Sequence, residues 1–254
     1  MIIPIAVKIG FPMGWFVKPT VFKHFCGGEN LEECKPVVEK LGTVNVKSIL
    51  DYSVEGGEND KQIEVAFQET LKSIQFAGKN PNIPFAVFKP TAFIKSYALE
   101  VLSIGGEVKE DALNEGEKFR KRVDALCSAA STLDLPILID AEDSFYQPFI
   151  DRVVLEMMAK YNNQKAIVFN TYQMYRWDRL GILAQHFQLA EDENFYLGAK
   201  FVRGAYMERE RARAMEKGYT DPIQTNKEST DHDYNQALKY SVEKLNRISV
   251  FNGS

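Results

Sequence analysis

The sequence predicts an α/β fold of the (β/α)8 TIM-barrel type, incomplete, with about six of the eight strands present. Three observations predict it. Short apolar, β-branched runs alternate with segments whose apolar residues recur with a period of 3.6. The runs are almost continuously apolar, as parallel strands covered by helices must be. Polar residues gather where the strands end, which is where barrel enzymes place their chemistry.

The expected strands are "VKSILDYS" (46–53), "FAVFK" (85–89), "PILID" (136–140), "AIVFN" (166–170), "YLGAKFV" (196–202) and "ISVF" (248–251). Their starts lie roughly 30–50 residues apart, a spacing that suits βα units. Helical stripes fall between them. Val123, Leu126, Cys127, Ala130 and Leu133 form one; Ile150, Val153, Val154, Met157, Met158 and Tyr161 a second; Tyr234, Ala237, Leu238, Ser241 and Leu245 a third. Gly56-Gly57 and Pro90 break the chain after strands.

Alternation alone leaves a doubly wound sheet or a barrel. No GxGxxG follows the first strand, so the dinucleotide-binding open sheet has no support. The strand exits favour the barrel. They carry Asp51, then Lys89, then Asp140 with Glu142, then Asn170 with Gln173, then Lys200, Arg203 and Tyr206. Eight strands would need roughly 60–90 further residues. The chain is therefore read as one barrel domain over 1–254, truncated at its C-terminal side, with residues 1–45 as a lead-in segment packing on the barrel.

Composition bounds the partners. Of 254 residues, 45% are hydrophobic and 26% charged, ordinary for a globular chain, and the net charge of −4 argues against nucleic-acid binding. Cys26, Cys34 and Cys127 form no CxxC and read as thiols; no metal site is expected. The N-terminal "MIIPIAVKIGFPMGWFV" is interrupted by Pro4, Lys8 and Pro12. It falls short of the roughly 18 apolar residues of a spanning helix and lacks signal-peptide features.

Six motifs then occur in order: "LDYSVEG" (50–56), "FKPTAF" (88–93), "IDAED" (139–143), "FNTYQMY" (169–175), "AKFVRGAYMERERA" (199–212) and "DPIQTNKEST" (221–230). Together they resemble the proline dehydrogenase family, from about His24 to the last residue. "FNTYQ" and a lysine at position 200 resemble the monofunctional, mitochondrial-type branch more than the bifunctional bacterial one. The resemblance implies a barrel holding FAD and hydride transfer from C5 of L-proline to flavin N5, giving Δ1-pyrroline-5-carboxylate. It implies a quinone as electron acceptor. It also implies a cytoplasmic or mitochondrial-matrix setting, with peripheral contact to the inner membrane.

The same resemblance distributes roles. Lys200 is the cation at the flavin N5/C4=O edge, where negative charge develops. Strand alternation turns Lys200, Val202 and Gly204 to one face and Phe201 and Arg203 to the other. Gly204 admits close backbone approach to the ring, and Tyr206 walls the substrate pocket. Ala141, Val202 and Ala205 complete the cofactor surface. Lys89 matches the lysine that meets the substrate carboxylate. Asp140 sits at the cofactor–substrate junction and either orients Lys89 or balances charge. Glu142 supports Asp140 or the next helix. Asn170 offers its amide to the flavin's polar edge. Thr225 and Lys227 meet the FAD pyrophosphate and adenosine, or else form a solvated loop with an N-cap. Arg203 serves the cofactor periphery or pairs with a residue such as Glu208. Glu55 matches a glutamate that pairs with an arginine of the last family helix. That arginine, and the family's Arg–Arg pair for the carboxylate, lie outside this sequence. His24, His186 and His232 match no catalytic position.

Two other readings compete. Lys89 or Lys200 would be the nucleophile of a Schiff-base aldolase on the same barrel. Alternatively the chain is a catalytically inactive fragment or interaction module. Within the family, hydroxyproline is the other substrate.

Overall fold

Five of the six expected segments become strands, and all five join one sheet. A computed structural model describes residues 26–52 and 58–253. The chain divides into two units, residues 1–48 and 49–254. In the first, helix α1 (Leu31–Thr43) starts at Asn30, whose side chain accepts from the Glu33 N–H at 2.9 Å.

The second unit holds the sheet. Its elements run α2 (Asp60–Ala77), β1 (Ala86–Phe88), a 3-10 turn (Pro90–Ala92), α3 (Ser96–Ile104), α4 (Glu110–Thr132) and β2 (Ile137–Ile139). They continue with α5 (Gln147–Tyr161), β3 (Val168–Gln173), α6 (Arg179–Asp192), β4 (Leu197–Val202), α7 (Met207–Lys217), α8 (Lys227–Val242) and β5 (Ile248–Asn252). Among the described residues no helix is long and apolar enough to cross a membrane.

The strand order is β1-β2-β3-β4-β5, with every pair parallel. Each strand bonds to the one that follows it in sequence. A doubly wound sheet reverses at a switch point; this one advances in a single direction, as a barrel wall does. The sheet also curls. The rings of Phe85, just before β1, and Phe251, on β5, meet edge to face at 5.0 Å. Five flat strands would hold them roughly 19 Å apart at the usual strand spacing.

Register sorts side chains into layers. Phe88, Ile139, Asn170, Ala199 and Val250 are level neighbours, and the first four are buried against the helices. One residue earlier, Val87, Leu138 and Phe169 face the interior and pack with Phe85, Tyr196 and Phe251. Gly198 lies in this layer because Phe169 crosses it. A Cβ there would come within 2.3 Å of the Val168 carbonyl oxygen and 2.8 Å of the Phe169 ring.

The predicted helical stripes behave as an amphipathic face requires. Val123, Leu126, Cys127 and Ala130 are buried on α4, and Ile150, Val153, Val154, Met157 and Met158 on α5. On α8, Tyr234, Ala237 and Ser241 are buried, but Leu245 is exposed because the helix ends at Val242. At the base, the buried Asn162 side chain accepts from the Ile167 and Val168 N–H groups. It donates to the Val168 and Tyr196 carbonyls, tying the end of α5 to the starts of β3 and β4.

The expected strand 46–53 is a correction. Residues 46–52 form no strand, and Ser53 lies outside the described residues. Val46, Ile49 and Tyr52 are exposed. Their β-propensity describes side chains that suit a half-buried ladder, and no ladder partner is hydrogen-bonded to them among the described residues.

Candidate active site

The next level up the sheet carries the chemistry. Thr171, Lys200 and Phe251 are register partners on β3, β4 and β5. Lys89 and Asp140 each stand one residue beyond the last paired residues of β1 and β2, and Asp140 N–H donates to the Phe88 carbonyl at 3.0 Å. Strand alternation thus turns Lys89, Asp140, Thr171, Lys200 and Phe251 inward together.

Their polar groups converge. Lys200 Nζ donates to Asp140 Oδ1 at 2.5 Å, and Lys89 Nζ lies 4.0 Å from Asp140 Oδ2. The Lys200 ammonium stands 5.9 Å from the Phe251 ring centroid. Burial disfavours the Lys89 charge, but Tyr206, Asp140, Glu142 and Asp51 outweigh it and push its pKa upward. Asp140 stands between the two ammonium groups, with Glu142 and Asp51 as further carboxylates acting on Lys89.

Lys89, Asp140, Thr171 and Lys200 line a cavity of about 190 Å³ with Ala141, Gln173, Val202 and the Gly204–Tyr206 turn. A second cavity, about 790 Å³, shares Gly204, Ala205 and Tyr206 and runs on past Met207 and Arg211 to Thr225 and Lys227. The two therefore meet at the β4–α7 turn. The Gln224 N–H donates to the Tyr175 carbonyl at 2.7 Å, and Ile223 bridges Arg176, which fixes the segment carrying Thr225 over the exit of β3.

The loops are held by buried carboxylates. Glu142 accepts from the Thr91 N–H at 2.9 Å and the Thr91 hydroxyl at 2.6 Å, two residues beyond Asp140 and Lys89 respectively. Glu142 thus ties the β1 and β2 exits together. Gly204 has φ +136°, and a Cβ there would come within 2.5 Å of the Tyr175 ring. The tight approach that requires glycine is to Tyr175, on the neighbouring strand exit.

The sequence-expected residues divide as follows. Lys89, Asp140, Ala141, Lys200, Val202, Gly204, Ala205 and Tyr206 share the smaller cavity. Thr225 and Lys227 line the larger one. Lys227 begins α8, whose N-cap Asn226 accepts from Ser229 N–H at 2.8 Å. Arg203 also lines that cavity and pairs with Asp231 at 2.6 Å rather than with Glu208; Lys227 pairs with the same carboxylate. Glu55 lies outside the described residues.

Asn170 is a correction. It is fully buried on the helix side of β3, donating to Asp151 Oδ1 at 2.7 Å and accepting from Thr171 N–H at 2.9 Å. The side chains that β3 turns into the cavity are Thr171 and Gln173. Gln173 Oε1 is buried and has no hydrogen-bond partner among the described residues. Strand β3 runs to Gln173 rather than ending at 170, and counting alternation back from that end finds both residues.

A sequentially wound parallel barrel wall with a charged rim at its C-terminal edge defines the class. The family model described as proline dehydrogenase matches residues 34–254, and the chain belongs to that family. Among its relatives, mitochondrial proline dehydrogenase 1 of Dictyostelium discoideum is 31% identical, over 94% of this chain and 49% of the relative. The carbapenem antibiotics biosynthesis protein CarD of Pectobacterium carotovorum subsp. carotovorum is 32% identical, over 89% and 59%. The chain thus spans about half the length of these relatives. The fold matches that of proline utilization A from Bdellovibrio bacteriovorus with a TM-score of 0.81 at 18% identity, covering 95% of this chain and 26% of the other.

Proposed function

We propose that this chain carries the catalytic barrel surface of a proline dehydrogenase, which oxidises L-proline to Δ1-pyrroline-5-carboxylate. The observation that carries the reading is the convergence of Lys89, Asp140 and Lys200, from three strands, on one small cavity open to a longer one.

The family is one of flavoenzymes, and the residues present fit FAD. Gln173 Oε1, a buried acceptor lacking a donor among the described residues, suits a ring N–H at the cavity wall. Lys200 on the same wall suits an electron-rich ring edge. The larger cavity, about 790 Å³, would take the rest of the dinucleotide. Thr225, Lys227 and the N-terminus of α8 would meet its phosphates there. When bound, FAD supplies a two-electron acceptor for the hydride leaving C5.

The chain's own residues then have these tasks. Lys89 holds the substrate carboxylate as a point charge. Its raised pKa keeps it an ammonium, which suits this task and opposes the Schiff-base alternative, where a neutral amine must attack. Asp140 spaces the two ammonium groups and keeps Lys200 aimed at the acceptor edge. Tyr206 closes the pocket on the side of α7. In the substrate the C5–H bond breaks as hydride, the ring-nitrogen lone pair becomes the second bond of C=N, and the N–H proton leaves. Kinship supports a quinone as the final acceptor and a mitochondrial setting.

The test is the visible spectrum of the purified protein, with FAD added, before and after L-proline under anaerobic conditions. A flavin band that bleaches with proline is expected. A colourless protein that takes up no FAD, or a band indifferent to proline, contradicts the reading.

A further inference from the structure

The sequence "MERERA" opens α7 with alternating charges, and the helix spends two consecutive ones on a single loop. Arg209 pairs with Asp143, and Glu210 with Ser144. The Glu210 carboxylate accepts from both the Ser144 N–H and its hydroxyl, the latter at 2.6 Å. Glu210 is fully buried, and among the described residues it forms no ion pair. A buried carboxylate without a cation costs stability. Packing alone therefore gives no reason for a polar side chain here.

Its position gives one. Asp140 leaves β2 and Tyr206 leaves β4, and β3 lies between those strands. The β2–β3 ladder ends at the Ile139–Asn170 pair. Past that point, among the described residues, no backbone hydrogen bond joins the two loops directly, and side chains link them. Ser144 is four residues beyond Asp140. Glu210 is four beyond Tyr206, and its N–H donates to the Tyr206 carbonyl at 2.9 Å, in the first turn of α7. The clamp therefore joins two walls of the 190 Å³ cavity from behind.

We propose that Glu210 is a positioning residue that fixes Tyr206 against Asp140 and so selects the ring size of the substrate. The ring-size part rests on the proline reading above; the coupling of the two loops does not. Glutamine keeps the shape and can keep both links, its Oε1 accepting from the Ser144 N–H and its Nε2–H donating to the Ser144 hydroxyl oxygen, whereas alanine abolishes them.

The experiment pairs two readouts on the FAD-loaded protein and its Glu210→Gln and Glu210→Ala variants. The first is calorimetric affinity for cyclopentanecarboxylate and cyclohexanecarboxylate. The parent and the glutamine variant should prefer the smaller ring by about tenfold, the usual discrimination of one methylene in a formed pocket. The alanine variant should lose most of that preference, and a retained preference overturns the proposal. The second readout is amide hydrogen exchange. Alanine should speed exchange in both 140–146 and 204–208, and acceleration in only one segment overturns the coupling. If the parent binds neither acid, the proline reading and its ring-size corollary fail, and exchange still decides the clamp. Should Glu210→Ala not fold, Ser144→Ala removes one of the two bonds. It should then shift both readouts the same way by about tenfold, the lower end for one hydrogen bond to a charged group, and no shift in either overturns the proposal.

Discussion

Asp140 and Lys200 stand 60 residues apart in sequence, yet their side chains meet at 2.5 Å across the mouth of the sheet. β3 lies between their strands, so inward curvature and the length of a lysine side chain together make the contact. Lys89 approaches the other carboxylate oxygen at 4.0 Å. One acid thus sets the spacing of two cations with different proposed partners, a carboxylate and a flavin edge.

Lys89→Ala should separate those partners. Ring-carboxylate binding should weaken about 10–100-fold, matching the ~1.5–3 kcal/mol of a hydrogen bond to a charged group. FAD affinity should fall by no more than about threefold, since Lys89 is assigned to the substrate carboxylate and does not line the larger cavity that takes most of the dinucleotide. Calorimetric titration of both ligands checks this; equal loss of both contradicts it.

Much of the rim was legible because a strand exit is a local signal. Lys89, Asp140 and Lys200 each follow an apolar run, and parallel winding brings such ends to one rim. Asn170 was misassigned because the apolar run 166–170 gives no phase. Strand β3 begins at Val168 and ends at Gln173, and only its pairing with β4 shows that Thr171 is level with Lys200. The partner of Arg203 is non-local: Asp231 comes from α8, which the Ile223–Arg176 bridge brings over the β3 exit. The segment 46–52 has strand-like composition, but composition does not supply a ladder partner.

Asn162→Ala should lower stability by about 3–4 kcal/mol, because it strands buried backbone donors and acceptors on two strands at once. Urea denaturation measures it. The cavity lies at the opposite end of the sheet, so ligand affinities of the folded variant should hold. A loss below about 1 kcal/mol would remove Asn162 from its place as the tie at the sheet base.

Behind β3, a buried network predicts a pH dependence. Arg179 forms an ion pair with Asp151 at 2.7 Å, and Tyr172 Oη lies 2.8 Å from His186 Nδ1. Burial holds the His186 pKa down to about 4; Arg179 adds to this and Asp151 opposes it. The unfolded chain protonates this histidine near 6.5. Between about pH 6.5 and 4 the unfolded state therefore binds the extra proton, and stability falls as pH falls, by up to about 1.4 kcal/mol per pH unit. Asp151, whose pKa Arg179 lowers against the effect of burial, adds its own loss only below its unfolded value near 3.9. Chemical denaturation of the parent and His186→Gln across pH 4–7 should show a shallower slope in the variant. Identical slopes would show that His186 does not carry the dependence.

The most direct test of the central claim is anaerobic stopped-flow mixing of L-proline with the FAD-loaded protein and its Lys200→Met variant. The Lys200 ammonium is assigned to the charge that develops during hydride transfer. Flavin bleaching should therefore slow about 10²–10³-fold, the usual cost of removing one such stabilising group, while ring-carboxylate affinity stays within about threefold. Bleaching at the parent rate, or a loss confined to ligand affinity, would contradict the account.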